Sequence, residues 1–304
     1  MTREVIARGM PRRYRRGMSM SMSTNTSQRP VGTLLREWRE RRRLSQFGLA
    51  LDADVSARHL SFLETGKARP SREMVLRLAD HLDVPLRERN ALLLAAGFAP
   101  AFPDRPLDDP ALRPALDAVS RVLAGHEPYP ALAIDRHWTL VAANRSVSPL
   151  LVGVDPALVQ PPVNVLRLSL HPQGLAPRIM NLGQWRAHLL HRLRRQIDLS
   201  GDEDLTRLFD ELRAYPGARP GEPDHARGDP GIAVPLRLRT DGDRGDLSFL
   251  STTMVFGTPI DVSLAELAIE AFFPADEATA AALRGLAEAG GAATPAVIAR
   301  GGED

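Results

Sequence analysis

The residues best suited to chemistry in this chain lie between positions 44 and 72, and that chemistry is recognition rather than bond making. Leu44-Ser45-Gln46, Leu49-Ala50, Val55-Ser56, Leu60-Ser61, Glu64, Gly66 and Pro70 form one spaced pattern. It reads as a helix-turn-helix. Ser45 and Ser56 stand where helix N-caps are needed. The small Ala50 lets two helices cross closely, and Val55 plugs the turn. Leu60 and Leu63 give the second helix its core face, which turns Ala57, Arg58, Ser61 and Phe62 outward. A helix N-terminus presented in this way fits the major groove of double-stranded DNA, ~12 Å wide. Arg58 is the long cation on that face, and an Arg bidentate to guanine is worth ~1–3 kcal/mol. Ala57 offers a methyl contact to thymine. Lys67, Arg69 and Arg72 flank the helix and suit phosphates.

Other chemistries find little support. The chain has no cysteine, which excludes disulfides, iron–sulfur clusters, thiolate zinc sites and cysteine nucleophiles. His188 and His191 lie three apart on a predicted helix without an acidic pair at metal-ligand spacing, so no metal is expected. GxGxxG, Walker and GxSxG motifs are absent. Asp202-Glu203-Asp204 opens a predicted helix, where the helix dipole explains it. No catalytic residue is assigned, and no enzyme is expected. Trp138, Trp185, Phe249, Met254 and Phe256 are candidate pocket residues, although such side chains are more often core. Arg178, Asn181 and Trp185 fall at i, i+3 and i+7 of a predicted helix, a face that would offer a cation and an amide to a carboxylate.

These residues need elements to hold them. From Val31 to Gly97 apolar stripes, serine caps and turn residues predict five short helices, a small all-α domain. Residues 99–109 carry prolines and aspartates and read as a linker. A helix is predicted over Pro110–Gly125, a hairpin over Ala131–Ile134 and Thr139–Ala142, a long helix over 175–199, and another over Asp202–Ala214. Residues 216–231 read as a Gly/Pro loop. Period-two runs near Val234–Leu238, Leu247–Phe256 and Leu267–Phe273 predict an antiparallel sheet with one wet face. A helix over 276–288 closes the fold. The expected division is a disordered basic extension (1–29), a helix-turn-helix domain (30–98), the linker (99–109), an α+β domain (110–288) and a flexible tail (289–304).

The charge is divided the same way. The 304 residues sum to +2, but residues 1–30 carry +6, residues 31–99 carry +3 and residues 100–304 carry −7. A cationic front end fits a polyanionic partner for that part alone. Residues 1–29 read either as a phosphate-touching arm or as an upstream start, with Met10, Met18, Met20 and Met22 as alternative starts; the second reading is favoured. Lys67 is the single lysine, a bias that fits a GC-rich genome better than a function. No apolar run approaches the ~20 residues of a membrane helix, and the signal-peptide core is missing. A cytoplasmic, nucleoid-associated protein without membrane insertion is expected.

Residues 32–97 resemble the XRE (phage-repressor-like) helix-turn-helix family across all five helices. The resemblance implies that Ala57, Arg58 and Ser61 read bases, that Gln46 meets a phosphate, and that Arg39 and Glu64 form a buried ion pair tying the first helix to the recognition helix. The run from Arg36 to Pro100, then YPALAIDRHWTLVAANRSVSPLL, NVLRLSLHPQGLAPRIMNLGQWRAHLLHRLRRQ and DLSFLSTTMVFGTPIDVSLAELAIEAFFPAD, resembles the MmyB-like transcription regulators from about 32 to 287. These join an XRE module to a C-terminal PAS-like ligand-binding domain. The chain departs at Ala143, where the family carries a Trp before the residue matching Asn144. The resemblance implies a multidomain α and α+β protein in which a fatty-acid-like, amphipathic ligand occupies the PAS-like pocket. It further implies a sequence-specific transcription regulator. A homodimer is expected, because one recognition helix buries too little for operator affinity and paired half-sites lie ~34 Å apart. The alternative is a C-terminal domain that serves only dimerisation or protein interaction, without a ligand.

Overall fold

The computed structural model describes residues 29–217, 233–240 and 245–289, together with the backbone of 297–298. The basic extension before Arg29, the 216–231 loop beyond Gly217 and most of the tail lie outside the described residues. The chain divides into two compact units, the first running to Arg105 and including the short segment Ile260–Val262, the second beginning at Pro106.

The first unit holds five helices: α1 (Val31–Arg41), α2 (Gln46–Asp52), α3 (Ala57–Glu64), α4 (Arg72–His81) and α5 (Leu86–Ala95). Serine caps start three of them. The Ser45, Ser56 and Ser71 hydroxyls accept from the amides of Gly48, His59 and Met74 at 2.9, 3.1 and 3.2 Å, satisfying donors a helix start leaves bare. Leu35, Leu49, Leu60, Leu63, Val75, Leu78 and Leu93 close over one core. At Gly32 the α1 backbone presses onto α3: a Cβ there would sit 2.2 Å from the Leu63 carbonyl oxygen. Gly66, at φ +74°, ends α3 in a conformation that costs other residues strain. Residues after α5, expected as a linker, begin with a docked turn. The Asn90 carboxamide accepts from the Ala101 and Phe102 amides and donates to the Phe102 carbonyl at 2.7 Å.

The second unit begins with α6 (Arg113–Gly125) and the hairpin β1 (Ala131–Ile134) and β2 (Leu140–Ala143). Then come α7 (Val165–Leu170), α8 (Leu182–Ser200), α9 (Glu203–Ala214), β3 (Leu236–Leu238) and β4 (Leu247–Val255). A single turn α10 (Val262–Ala265), β5 (Ala268–Pro274), α11 (Glu277–Ala289) and the short β6 (Val297–Ile298) follow. The sheet is antiparallel in the order β3-β4-β5-β1-β2, with β6 added beside β2. The buried Asn144 clasps its start: its Oδ1 accepts from the Ala131 amide, and its Nδ2 donates to the Leu123 and Tyr129 carbonyls.

Two expectations are corrected here. The sheet does not keep one face wet. Trp185, Leu189 and Leu193 of α8, with Leu205 and Leu208 of α9, pack on one face, while Val119 and Leu123 of α6 cover β1 and β5 on the other. Glu270, which alternates with the apolar residues of the Leu267–Phe273 run and so falls on the face expected to be wet, is 4% exposed on the α8 side. The long helix does not begin at 175 but at Leu182. Pro177 has no N–H to continue a helix, and residues 178–180 instead pair with β3, through Met180 N–H to Arg237 O and Arg239 N–H to Arg178 O.

Candidate nucleic-acid interface and ligand core

In the first unit α3, which carries the predicted base-contacting residues, is held by charge as well as by leucines. Arg39 of α1 donates Nε to Glu64 Oε1 at 2.6 Å and Nη2 to Oε2 at 2.9 Å. Its third guanidinium nitrogen donates to the Leu44 carbonyl. The side chains are 10% and 1% exposed, so this is a buried, bidentate pair. Glu64 holds the Arg39 guanidinium above its ordinary value. The Gln46 amide nitrogen donates to the same carboxylate at 2.7 Å. Gln46, expected to meet a phosphate, is thus also locked to the frame, at the first residue of α2.

Arg58 projects from the first turn of α3, exposed, with Ala57 and Ser61 half-buried beside it. Phe62 lies under two cations, with the Arg58 guanidinium 5.4 Å and the Lys67 ammonium 5.9 Å from its ring centre. Its ring therefore supports the cationic side chains around the helix. Lys67, Arg69 and Arg72 are exposed on the segment leading into α4. Arg42, just past the end of α1, donates to the Leu82 and Asp83 carbonyls at 2.8 Å each. It terminates α4, a role that helix spacing alone does not reveal.

In the second unit the five predicted pocket residues fall in different places. Trp138, Trp185 and Phe249 lie in the core between the sheet and the α8–α9 pair. Trp138 Nε1 donates to Gln196, and Trp185 Nε1 donates to Ser169. Phe256 packs against the core on the opposite face, and Met254 is exposed. The expected Arg178–Asn181–Trp185 helix face does not form, because α8 starts after Asn181. The Arg178 guanidinium is taken up by the carbonyls of Leu150, Val152 and Arg239. Asn181 bonds the backbone at Pro235 and Arg237.

What the sequence reading missed is an inner polar group on the α8 side of the sheet. Arg192 of α8 lies 4.9 Å over the Trp138 ring and donates to both oxygens of Glu270 and to Thr253. His188, one turn earlier, stacks on Trp185. Burial, then the Arg192 charge, lowers its pKa and favours the neutral ring. Glu270 carried no signal beyond its place in an alternating strand. This core combines two indoles, an imidazole stacked on one of them and a cation lying over the other and paired to a buried carboxylate.

Among the described residues, His188 and His191 are not part of a group of three metal-ligating side chains. Among the described residues, His137, Asp202 and Asp204 do bring ligand atoms within 4.8 Å of one another. All three have partners already. Asp202 caps α9 and accepts from His137 at 3.0 Å, with Arg136 at 3.7 Å, and Asp204 pairs with Arg207. Among the described residues no helix is long and apolar enough to cross a membrane.

Two family models match the chain. The MmyB-like transcription regulator ligand binding domain matches residues 115–286. A helix-turn-helix domain matches residues 30–92. No curated protein matches.

Proposed function

The chain belongs to the MmyB-like transcription regulators, ligand-responsive proteins with a helix-turn-helix head, and from that premise we propose how its two units divide the work. The head reads a specific operator in double-stranded DNA. Arg58 contacts a guanine, Ala57 and Ser61 read neighbouring bases, and Lys67, Arg69 and Arg72 meet phosphates. The second unit takes a small amphipathic, fatty-acid-like molecule against its indole-rich core. The protein works as a cytoplasmic homodimer, and ligand binding shifts the pose of its two heads by differential affinity for two states. Reading and sensing are binding events, so the protein is a regulator and not an enzyme.

The observation that carries the DNA reading is the exposed Arg58 on a helix whose frame is fixed by the Arg39–Glu64–Gln46 network. Competition binding on an operator and its single-base variants tests it. Arg58→Ala costs ~1–3 kcal/mol of discrimination at one base pair, while Arg69→Ala weakens all sequences alike. Equal losses for Arg58→Ala on operator and random DNA would remove its base-reading role. For the sensing unit, native mass spectrometry of the purified chain tests occupancy. A bound lipid-like mass supports the ligand reading, whereas a core empty in every preparation favours a domain used only for association.

A further inference from the structure

Residues 101–105, expected as part of a linker, are bonded at every position. The Ala101 amide and both backbone groups of Phe102 meet the Asn90 carboxamide of α5. The Asp104 carboxylate accepts from both terminal nitrogens of Arg87, also of α5, one of them at 2.9 Å. The other two residues have partners elsewhere. The Pro103 carbonyl accepts from the Val262 amide at 2.8 Å, and Arg105 Nη1 donates to Asp261 Oδ2 at 2.8 Å. Asp261 and Val262 are both buried. They lie in the connection between β4 and β5, yet Ile260–Val262 belongs to the first unit. Among the described residues the chain therefore passes from one unit to the other three times: after Arg105, before Ile260 and after Val262. A segment that merely tethers two domains leaves its polar groups to water. This one is stitched both to α5 and to 260–262.

The strands that carry this connection also carry the inner polar group. Thr253 of β4 stands opposite Glu270 of β5, and both accept from Arg192 of α8. Two register positions on, Val255 opposite Ala268 is the last pair before the connection. At the other end, α5 packs on α1, and α1 holds α3 through Arg39 and Glu64. We propose that residues 101–105, with Asp261 and Val262, form the joint that couples the two binding events: a ligand that alters the β4–β5 pair biases operator affinity through it. This rests on the reading of the chain as a ligand-responsive, operator-binding regulator. Arg105 and Asp261 are positioning residues, acting through the backbone they hold. A displacement of the strand pair reaches 260–262 along the chain, passes to residues 103 and 105, and arrives at α5 through residues 101, 102 and 104. Coupling of binding free energies is reciprocal, so the joint can be read from the DNA side.

Hydrogen–deuterium exchange of the full chain, free and saturated with an operator selected from random DNA, tests this. In the wild type, the operator is expected to change exchange of the β4, 260–262 and β5 amides at least ~5-fold. Arg105→Ala with Asp261→Ala is expected to bind the operator within about 2-fold of wild type and to lose the response in β4 and β5. A joint that only stabilises the first unit leaves the wild-type β4 and β5 amides unmoved by the operator, and that result overturns the proposal. So does a response that survives in the double variant. A chain that binds no DNA overturns the regulator reading as well. Should circular dichroism show the double variant unfolded, Arg105→Ala alone decides, because that side chain is 38% exposed. It is expected to weaken the response at least ~3-fold, and an undiminished response overturns the proposal.

Discussion

At the scale of single residues, the decisive groups are those whose charge is buried. The Glu64 carboxylate is 1% exposed and serves both Arg39 and Gln46. Glu64→Ala strands the Arg39 guanidinium in the core and should cost about 3–5 kcal/mol. Replacing both partners by apolar residues of similar shape, Arg39→Met with Glu64→Leu, should recover most of that loss in urea unfolding. Asp202 gives a pH prediction. Burial opposes its charge, but the His137 hydrogen bond, the His137 and Arg136 charges and the Leu205 amide together hold it at about 2, below the ordinary 3.8. Its folded pKa is depressed, so its stabilisation is complete above about pH 4 and is lost as pH falls through about 2. The melting-temperature gap between wild type and Asp202→Asn should therefore narrow across that window; a constant gap would assign its effect to the helix cap alone. The Arg39–Glu64 pairing was legible because two residues at family spacing point to it. Asp202, His137 and Arg136 were not, since their meeting depends on where a hairpin lands on α9.

At the scale of elements, legibility followed local signals. In the first unit Ser45, Ser56 and Ser71 start their helices and Gly66 and Gly97 end α3 and α5, because capping is decided within four residues, whereas α1, α2 and α4 end at left-handed Arg43, Asp54 and Asp83. The start of α8 was misplaced because apolar spacing continued through Leu175 and Ile179, while Pro177 and the open edge of β3 redirected the backbone. Glu270 was misread because alternation on a strand reports solvent only where one face is bare. The close approach of the α1 backbone to α3 at Gly32 is similarly invisible in sequence, and it yields a prediction. Gly32→Ala should raise intrinsic helix propensity by ~1 kcal/mol, yet the new Cβ would lie 2.2 Å from Leu63 O and 2.9 Å from Glu64 O. Both atoms are backbone and cannot swing away, so the variant is expected to melt lower than wild type. A higher melting temperature would mean that α1 can shift without loss.

At the scale of the whole molecule, two units with separate cores imply two cooperative transitions. Calorimetry of the full chain should show both. Glu64→Ala should lower one of them, and a bound ligand should raise the other by mass action. A single transition shifted by both changes would overturn this division. Within the head, the frame and the reading surface are made of different residues. Arg39, Glu64, Gln46, Gly32 and the leucines hold α3, whereas among the described residues the Arg58 guanidinium rests on the Phe62 ring alone and no side-chain hydrogen bond holds Ser61. Operator preference can consequently change from one descendant to another through a few substitutions, with the fold inherited intact. A duplicated copy could acquire a new set of target genes without first having to survive a loss of stability.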